Sequence, residues 1–228
     1  MEGKHRMDEF VTVTGMVLSS SPMGEYDRRL CLLTLERGKI SVFARGARRP
    51  KSALMAGSRQ FTFGKFALYE GRNSYTVRNI EVKSYFEELA VDPERACYGF
   101  YFLELTEFYT RENADEAVVL KLLYQALRAL SNEHLPNPLV RAVFELKIMM
   151  LNGDYLHSEQ ERQSEGVRYA LEHILTSPPE KLFTFILTEE RLKDLIRFCG
   201  KNRQRFLEKE FKTLAVLESV QGDKWTGV

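Results

Sequence analysis

Short apolar runs separated by turn residues fill the first third of the chain, and this pattern is typical of β-strands. Five runs show it: 10–18, 29–35, 39–44, 61–69 and 74–83. Gly-containing turns separate the second run from the third and the fourth from the fifth, which favours hairpins. Five short strands favour a small closed barrel of the OB type over a sandwich, because closure removes exposed strand edges.

The hydrophobic period changes after Asp92, where apolar residues begin to recur every three or four positions. Asp92 and Pro93 are a typical helix start, and Asn113 or Asp115 is suited to cap a second helix. The spacing predicts helices that begin after Asp92 and run to Tyr109, then at 116–130, at 139–151, near 167–175, and a last one that carries Leu192, Leu195, Ile196, Cys199 and Phe206. A polar loop is expected near 153–165 and a frayed tail at 222–228.

These patterns predict an α+β protein of two domains. Residues 1–86 are expected to form a five-stranded OB-fold barrel that binds nucleic acid, and residues 87–228 an all-α helical domain. A hydrophobic content of 44% supplies enough apolar surface for both cores.

Composition also bears on location. No apolar run approaches the roughly 18–20 residues that cross a bilayer, and the first ten residues lack the apolar stretch of a signal peptide. Three widely spaced cysteines, Cys31, Cys97 and Cys199, argue against a disulfide framework. We expect a cytoplasmic protein without membrane attachment, and we expect each cysteine to be a small buried apolar side chain.

The net charge of +1 conceals a strong segregation along the chain. Residues 28–83 carry thirteen basic and three acidic side chains, whereas residues 84–165 carry seven basic and fifteen acidic ones. Such asymmetry points to a polyanionic partner for the basic segment, with a merely solvated basic face as the alternative.

The sequence contains no recognisable pattern of catalytic residues. The four histidines, His5, His134, His157 and His173, lie in no metal-ligand spacing, and no phosphate-binding loop motif is present. The acidic pairs at 87–88 and 189–190 are typical of solvated surface. We predict no catalytic residues, no metal and no cofactor.

Residues 44–52, which we call the cationic loop, contain the densest positive charge. Arg45, Arg48, Arg49 and Lys51 repel one another unless an anion is bound, and guanidinium groups can form forked hydrogen bonds with phosphate. Gly46 would let a strand approach closely. The predicted DNA-binding surface also includes, around the barrel, Arg28, Arg29, Lys39, Lys65, Arg72 and Arg78. Four aromatic residues could stack on bases, although most are expected to be core: Phe43, Phe61, Tyr69 and Tyr75.

Several motifs carry a resemblance to a known family. The chain resembles the RecO family in the order and spacing of 15–18, 24–28, 33–34, 38–39 and 44–52, and its later segments 177–185 and 208–214 are similar to that family's carboxy-terminal helices. The resemblance is strongest over 10–83 and 166–217. It covers most of the chain.

The resemblance implies a bacterial, nucleoid-associated recombination mediator that consumes no cofactor. Such a protein binds single- and double-stranded DNA, anneals complementary strands, cooperates with RecR, engages the single-strand-binding protein and helps to load RecA. Many members carry a four-cysteine zinc module, but residues 152–166 contain no cysteine here, so zinc is not carried over.

A groove among the last helices, flanked by Lys201, Arg203 and Arg205, is a candidate dock for the acidic tail of a single-strand-binding protein. Three alternatives stay open at this point. They are an RNA-binding OB protein, a pure interaction scaffold, and a small nuclease or deaminase-like enzyme.

Overall fold

The structure, a computed structural model, describes residues 10–71, 74–155 and 163–221. The chain divides into two compact units, 1–86 with 110–120 and 87–109 with 121–228. The change at residue 86 falls where the sequence pattern changes from strands to helices. Segment 110–120 differs from the sequence expectation, because it packs with the strands instead of the helices.

The first unit is built from five strands and a short helix. Their bounds are β1 (Phe10–Met23), β2 (Asp27–Thr34), β3 (Gly38–Ala44), α1 (Leu54–Gly57), β4 (Phe63–Glu70) and β5 (Tyr75–Ser84). The strands close into a barrel in the order β1-β2-β3-β5-β4, with β3 and β5 parallel and the other neighbours antiparallel. This confirms the predicted five-stranded OB-type barrel. β1 runs beyond its predicted end, to Met23.

Alternation along the strands places one face of each inside the barrel. In β3, Ile40, Val42 and Ala44 are buried in the barrel core, whereas the residues between them are half-buried. β1 pairs with β4 through its first half and with β2 through its second half. An irregularity in register between Val17 and Ser19 accompanies this change of partner.

Segment 110–120 lies against the start of β3. Glu112 forms an isolated bridge with Gly38, and the backbone N–H of Lys39 donates to the carbonyl of Arg111 at 3.3 Å. Gly38 has a φ of 62°, and a Cβ atom there would collide with the carbonyl oxygen of Ala114. Glycine is therefore required both for the turn and for the close approach of this segment.

The second unit contains the helices. Their bounds are α2 (Glu87–Val91), α3 (Pro93–Tyr109), α4 (Ala117–Leu130), of which 117–120 belong to the first unit, α5 (Asn137–Leu151), α6 (Glu165–Thr176), α7 (Glu189–Phe206) and α8 (Lys212–Gln221), with a 3₁₀ turn at Pro179–Lys181. Asp92 Oδ1 accepts a hydrogen bond from the backbone N–H of Glu94, which confirms the predicted cap of α3. Asp115 Oδ1 accepts a hydrogen bond from the backbone N–H of Ala117, the first residue of α4. No helix among the described residues is long and apolar enough to span a membrane.

The prediction that α7 is the last helix is wrong, since α8 follows it. The signal for α8 is weak because it buries only two of its own residues, Leu214 and Leu217. Arg72, the tail 222–228 and residues 156–162 of the expected polar loop lie outside the described residues.

Helix α5 carries charged groups through the core of the helical unit. Glu145 is buried, and its carboxylate accepts hydrogen bonds from Arg141 Nε at 2.9 Å, Arg203 Nη1 at 3.3 Å and the thiol of Cys199 at 2.7 Å. Both guanidinium groups also reach Glu218 on α8. The prediction that each cysteine is a buried apolar side chain is therefore wrong: Cys199 is buried but hydrogen-bonded, while Cys31 and Cys97 are only half-buried.

A second charged residue of α5, Lys147, caps the C-terminal end of α6. Lys147 Nζ donates to the carbonyl oxygens of Ile174, Leu175 and Ser177 at 2.8 to 2.9 Å. These carbonyls belong to the last turn of α6 and the residue that follows it, where main-chain partners run out. Burial lowers the pKa of Lys147.

Candidate nucleic-acid interface

The cationic loop follows β3 at one end of the barrel. Arg45, Arg48, Arg49 and Lys51 are all exposed. None of the four forms an ion pair with a carboxylate in the part of the chain that the structure describes. Four unpaired cations on one short connection can therefore be reached by an anion from solvent.

Hydrogen bonds fix this loop to the turn between β1 and β2. The backbone N–H of Gly46 donates to Asp27 Oδ1 at 2.7 Å, and the backbone N–H of Arg48 donates to the carbonyl of Tyr26 at 2.8 Å. Arg48 Nη1 donates to the carbonyl of Gly24 at 3.0 Å. The loop is thus a supported structure, so its cations are held near one another before any ligand arrives.

Two residues of the loop have left-handed backbone. Gly46 has a φ of 67° and Lys51 a φ of 62°. For Gly46 this conformation carries no penalty, because glycine has no Cβ. For Lys51 it is a strain of roughly 1–2 kcal/mol, of the kind that structures maintain most often at functional sites.

Arg28 and Arg29 lie on β2, beside the end of β3 from which the loop begins. In the ladder they stand opposite Ala44 and Phe43, the last two residues of β3. Arg28 Nη1 donates to Ser20 Oγ and Arg29 Nε donates to Ser41 Oγ, each at 2.9 Å. These hydroxyl partners are neutral, so both arginines keep their net charge.

The other predicted cations are not brought to the same place. Lys39 is half-buried at the start of β3, six residues or about 20 Å of strand from Arg45. Lys65 is exposed on β4, opposite Thr14 of β1 and Glu81 of β5. Arg78 of β5 lies over the ring of Phe10, 4.5 Å from its centroid.

An exposed aromatic side chain beside the loop was not predicted from the sequence. Phe43, Phe61, Tyr69 and Tyr75, the four named for stacking, are half-buried. Tyr26 is 41% exposed, and the guanidinium of Arg49 lies 5.1 Å from the centroid of its ring. A signal was available, because Tyr26 is the one aromatic residue within the polar turn 24–27.

The three cations expected to bind a protein partner differ in how exposed they are. Lys201 and Arg205 are exposed, four residues apart on α7. Arg203 is less exposed than these two, because its side chain is 18% exposed and ion-paired with Glu145 and Glu218. It is part of the buried network, and its role in binding a partner stays a prediction.

The residues do not fit a four-cysteine zinc module. Cys31, Cys97 and Cys199 lie on β2, α3 and α7, and residues 152–166 contain no cysteine. Within 10–71, 74–155 and 163–221, no group of three or more histidine, cysteine or acidic side chains is arranged to hold a metal ion.

Comparison with known proteins places both regions in one family. A family model described as "Recombination protein O N terminal" matches residues 7–86, and one described as "Recombination protein O C terminal" matches residues 90–162. Fold and surface define a protein with a closed OB barrel, an exposed cationic loop and a helical region. The chain belongs to the RecO family.

Curated relatives with the name "DNA repair protein RecO" are similar to this chain. The relative from Alkaliphilus metalliredigens is 38% identical over 143 residues, which cover 63% of this chain and 58% of that protein. The relative from Acetivibrio thermocellus is 27% identical over 245 residues, which cover 92% of this chain and 97% of that protein. The relative from Symbiobacterium thermophilum is 32% identical over 167 residues, which cover 69% of this chain and 66% of that protein. The match therefore spans well under two thirds of the first relative's length.

Proposed function

We propose that the chain binds DNA strands through the cationic loop and acts as a non-enzymatic recombination mediator in DNA repair. The observation that carries the proposal is the set of four exposed cations on a hydrogen-bonded loop, without carboxylate partners among the described residues. Membership of the RecO family and the printed names of the relatives support the role in repair.

The proposed contacts are to the DNA backbone. Arg45, Arg48 and Arg49 can each form forked hydrogen bonds with phosphate, and Lys51 adds a point charge. Phosphates are the same at every base pair, so the surface would hold single and double strands without reading their sequence. Partial neutralisation of two complementary strands reduces their repulsion, and annealing would follow from this positioning.

The protein partners belong to the same proposal. We propose cooperation with RecR, docking of the acidic tail of the single-strand-binding protein, and indirect help in loading RecA onto coated strands in the bacterial cytoplasm. Family membership supports these partners. Lys201 and Arg205 remain the candidate cations for the acidic tail, because both are exposed on α7.

A double charge reversal tests the DNA site. Arg48→Glu with Arg49→Glu is expected to weaken binding of single-stranded and duplex oligonucleotides at least about tenfold, measured by fluorescence anisotropy in low salt. Lys121→Glu with Arg128→Glu is the matched control, because it reverses two exposed cations of α4 and changes the net charge equally. The control should stay within about twofold of wild type.

An annealing assay tests the activity itself. Complementary strands, bare or coated with single-strand-binding protein, should pair faster with the wild-type chain than with the loop variant. Equal binding by both double variants would contradict the site, and binding of matched RNA in preference to DNA would favour the RNA-binding alternative.

A further inference from the structure

Tyr26 stands at the tip of the hairpin between β1 and β2, beside the cationic loop. Its carbonyl accepts the backbone N–H of Arg48 at 2.8 Å, so its main chain is held in place by the loop. Asp27, the next residue, accepts the backbone N–H of Gly46 at 2.7 Å. The chain at positions 26 and 27 is therefore held by the cationic loop, although Tyr26 lies in a turn.

The ring of Tyr26 is presented to solvent beside the cationic loop, and its hydroxyl is hydrogen-bonded to the side chain of Glu25. It is 41% exposed, and the guanidinium of Arg49 lies 5.1 Å from its centroid. A guanidinium over an aromatic face is attracted by the ring's quadrupole, which favours a defined ring orientation. A tyrosine side chain also loses little conformational entropy on binding, because it has only two rotatable χ angles.

Exposure of this ring is not explained by the barrel core. The core consists of residues from the strands and Ala47, and Tyr26 does not belong to it. Aromatic rings among cations serve single-stranded nucleic acids well, because every unpaired base has a face that can stack. In a duplex the base faces are already stacked on one another, so such a ring gains only backbone neighbours.

We propose that Tyr26 stacks on an unpaired nucleobase while Arg48 and Arg49 bind the adjacent phosphates, so that the cationic loop prefers single-stranded DNA to duplex. This inference rests on the proposed function of the cationic loop. It adds a specificity determinant to a surface that otherwise contacts only phosphate.

The test separates base stacking from phosphate binding with three probes of equal length. They are a deoxythymidine oligonucleotide, the same strand with abasic sites in place of its bases, and a duplex. Tyr26→Ala should weaken binding of the deoxythymidine strand about tenfold and leave the abasic strand and the duplex within about twofold. Tyr26→Phe should retain the wild-type preference, since the aromatic face is kept.

Phe10 supplies a matched control on the same barrel. It is 49% exposed and lies under the guanidinium of Arg78, but at the start of β1, thirteen residues before the end of that strand at Met23. Phe10→Ala should bind all three probes as the wild type does. An equal effect of both alanine variants on the deoxythymidine strand would show a general loss of exposed aromatic surface and would overturn the inference.

Two other outcomes would also overturn it. In the first, Tyr26→Ala weakens binding of the abasic strand as strongly as binding of the deoxythymidine strand, which would mean that the ring acts only by placing Arg49. An unchanged preference for the deoxythymidine strand over duplex in Tyr26→Ala would equally remove the stacking role. Failure of the proposed function would give a distinguishable result. In that case Arg48→Glu with Arg49→Glu would bind all three probes with wild-type affinity.

Discussion

Two groups of arginines, one in each unit, have opposite surroundings. In the barrel unit, Arg45, Arg48 and Arg49 are exposed and have no carboxylate partner among the described residues. In the helical unit, the side chains of Arg141 and Arg203 are only 8% and 18% exposed, and both are ion-paired with Glu145 and Glu218. The chain therefore uses one residue type in two different ways.

The difference follows from the cost of removing a charge from water. A buried guanidinium loses its hydration, and only a close, well-oriented carboxylate offsets that loss. An exposed guanidinium keeps its hydration and can exchange it for a phosphate oxygen. An exposed guanidinium without a carboxylate partner is thus available to bind a ligand. A guanidinium in a buried ion-pair network stabilises the fold instead.

The largest expected effect is on the buried network. Glu145→Gln removes the charge that Arg141 and Arg203 share, so we expect a loss of about 3 kcal/mol in the free energy of unfolding. Urea denaturation followed by circular dichroism measures it. Glu189→Gln is the control, because Glu189 pairs with Lys193 at the surface and should cost less than about 0.5 kcal/mol.

Equal costs of the two glutamine variants would contradict the contrast between buried and exposed charge. The folded fraction of Glu145→Gln should bind oligonucleotides with wild-type affinity, because Glu145 belongs to the helical unit. If folded Glu145→Gln bound DNA more weakly than the wild type, the buried arginine network and the cationic loop would not be independent of each other.

The pH dependence of stability gives a second effect, of similar size because it titrates the same carboxylate. Burial alone would raise the pKa of Glu145, but Arg141, Arg203 and the Cys199 thiol outweigh it and lower the pKa from 4.5 to about 2. The folded state then binds fewer protons than the unfolded state between these values. The stability that Glu145 confers is complete above about pH 4.5 and is lost as the pH falls towards about 2.

Comparison with Glu145→Gln isolates this contribution from that of the other carboxylates. The difference in unfolding free energy between wild type and variant should shrink steadily as the pH is lowered from about 5 to about 2. A difference that stays constant over this range would show that the carboxylate of Glu145 is not the charged partner of the arginines.

The smallest expected effect concerns the support of the cationic loop. Asp27→Ala removes the acceptor of the Gly46 N–H, which should cost about 1 kcal/mol of stability and loosen the loop. Asp27→Asn removes the same charge but keeps a side-chain oxygen that can accept the hydrogen bond. We expect the alanine variant to bind single-stranded DNA several-fold more weakly than the asparagine variant, and equal affinities would show that the loop needs no such support.

Local patterns predict the barrel well, because strand alternation, turn glycines and helix caps act over a few residues. Ile40, Val42 and Ala44 face the core as alternation requires, and Asp92 caps α3. The charge density of the cationic loop is also a local property. The loop's hydrogen bonds to the preceding hairpin are not, since residues about twenty positions apart form them.

Packing between distant segments accounts for the predictions that were wrong or incomplete. Segment 110–120 joins the barrel through Gly38, which no local pattern indicates. Arg203 was placed among surface cations by its neighbours in sequence, yet it lies four residues after the buried Cys199 and so on the buried face of α7. The helical period therefore indicates that Arg203 is buried. It does not identify the partner, Glu145, which is 58 residues away in sequence.

The salt dependence of DNA affinity tests the central claim most directly. For single strands, the log–log slope of affinity against salt concentration changes by about 0.7 for each phosphate contact. The account predicts that Arg48→Glu with Arg49→Glu has a slope shallower than that of the wild type by about 1.4, two contacts at that value. Identical slopes and affinities for the two proteins would contradict the assignment of the cationic loop as the DNA-binding surface.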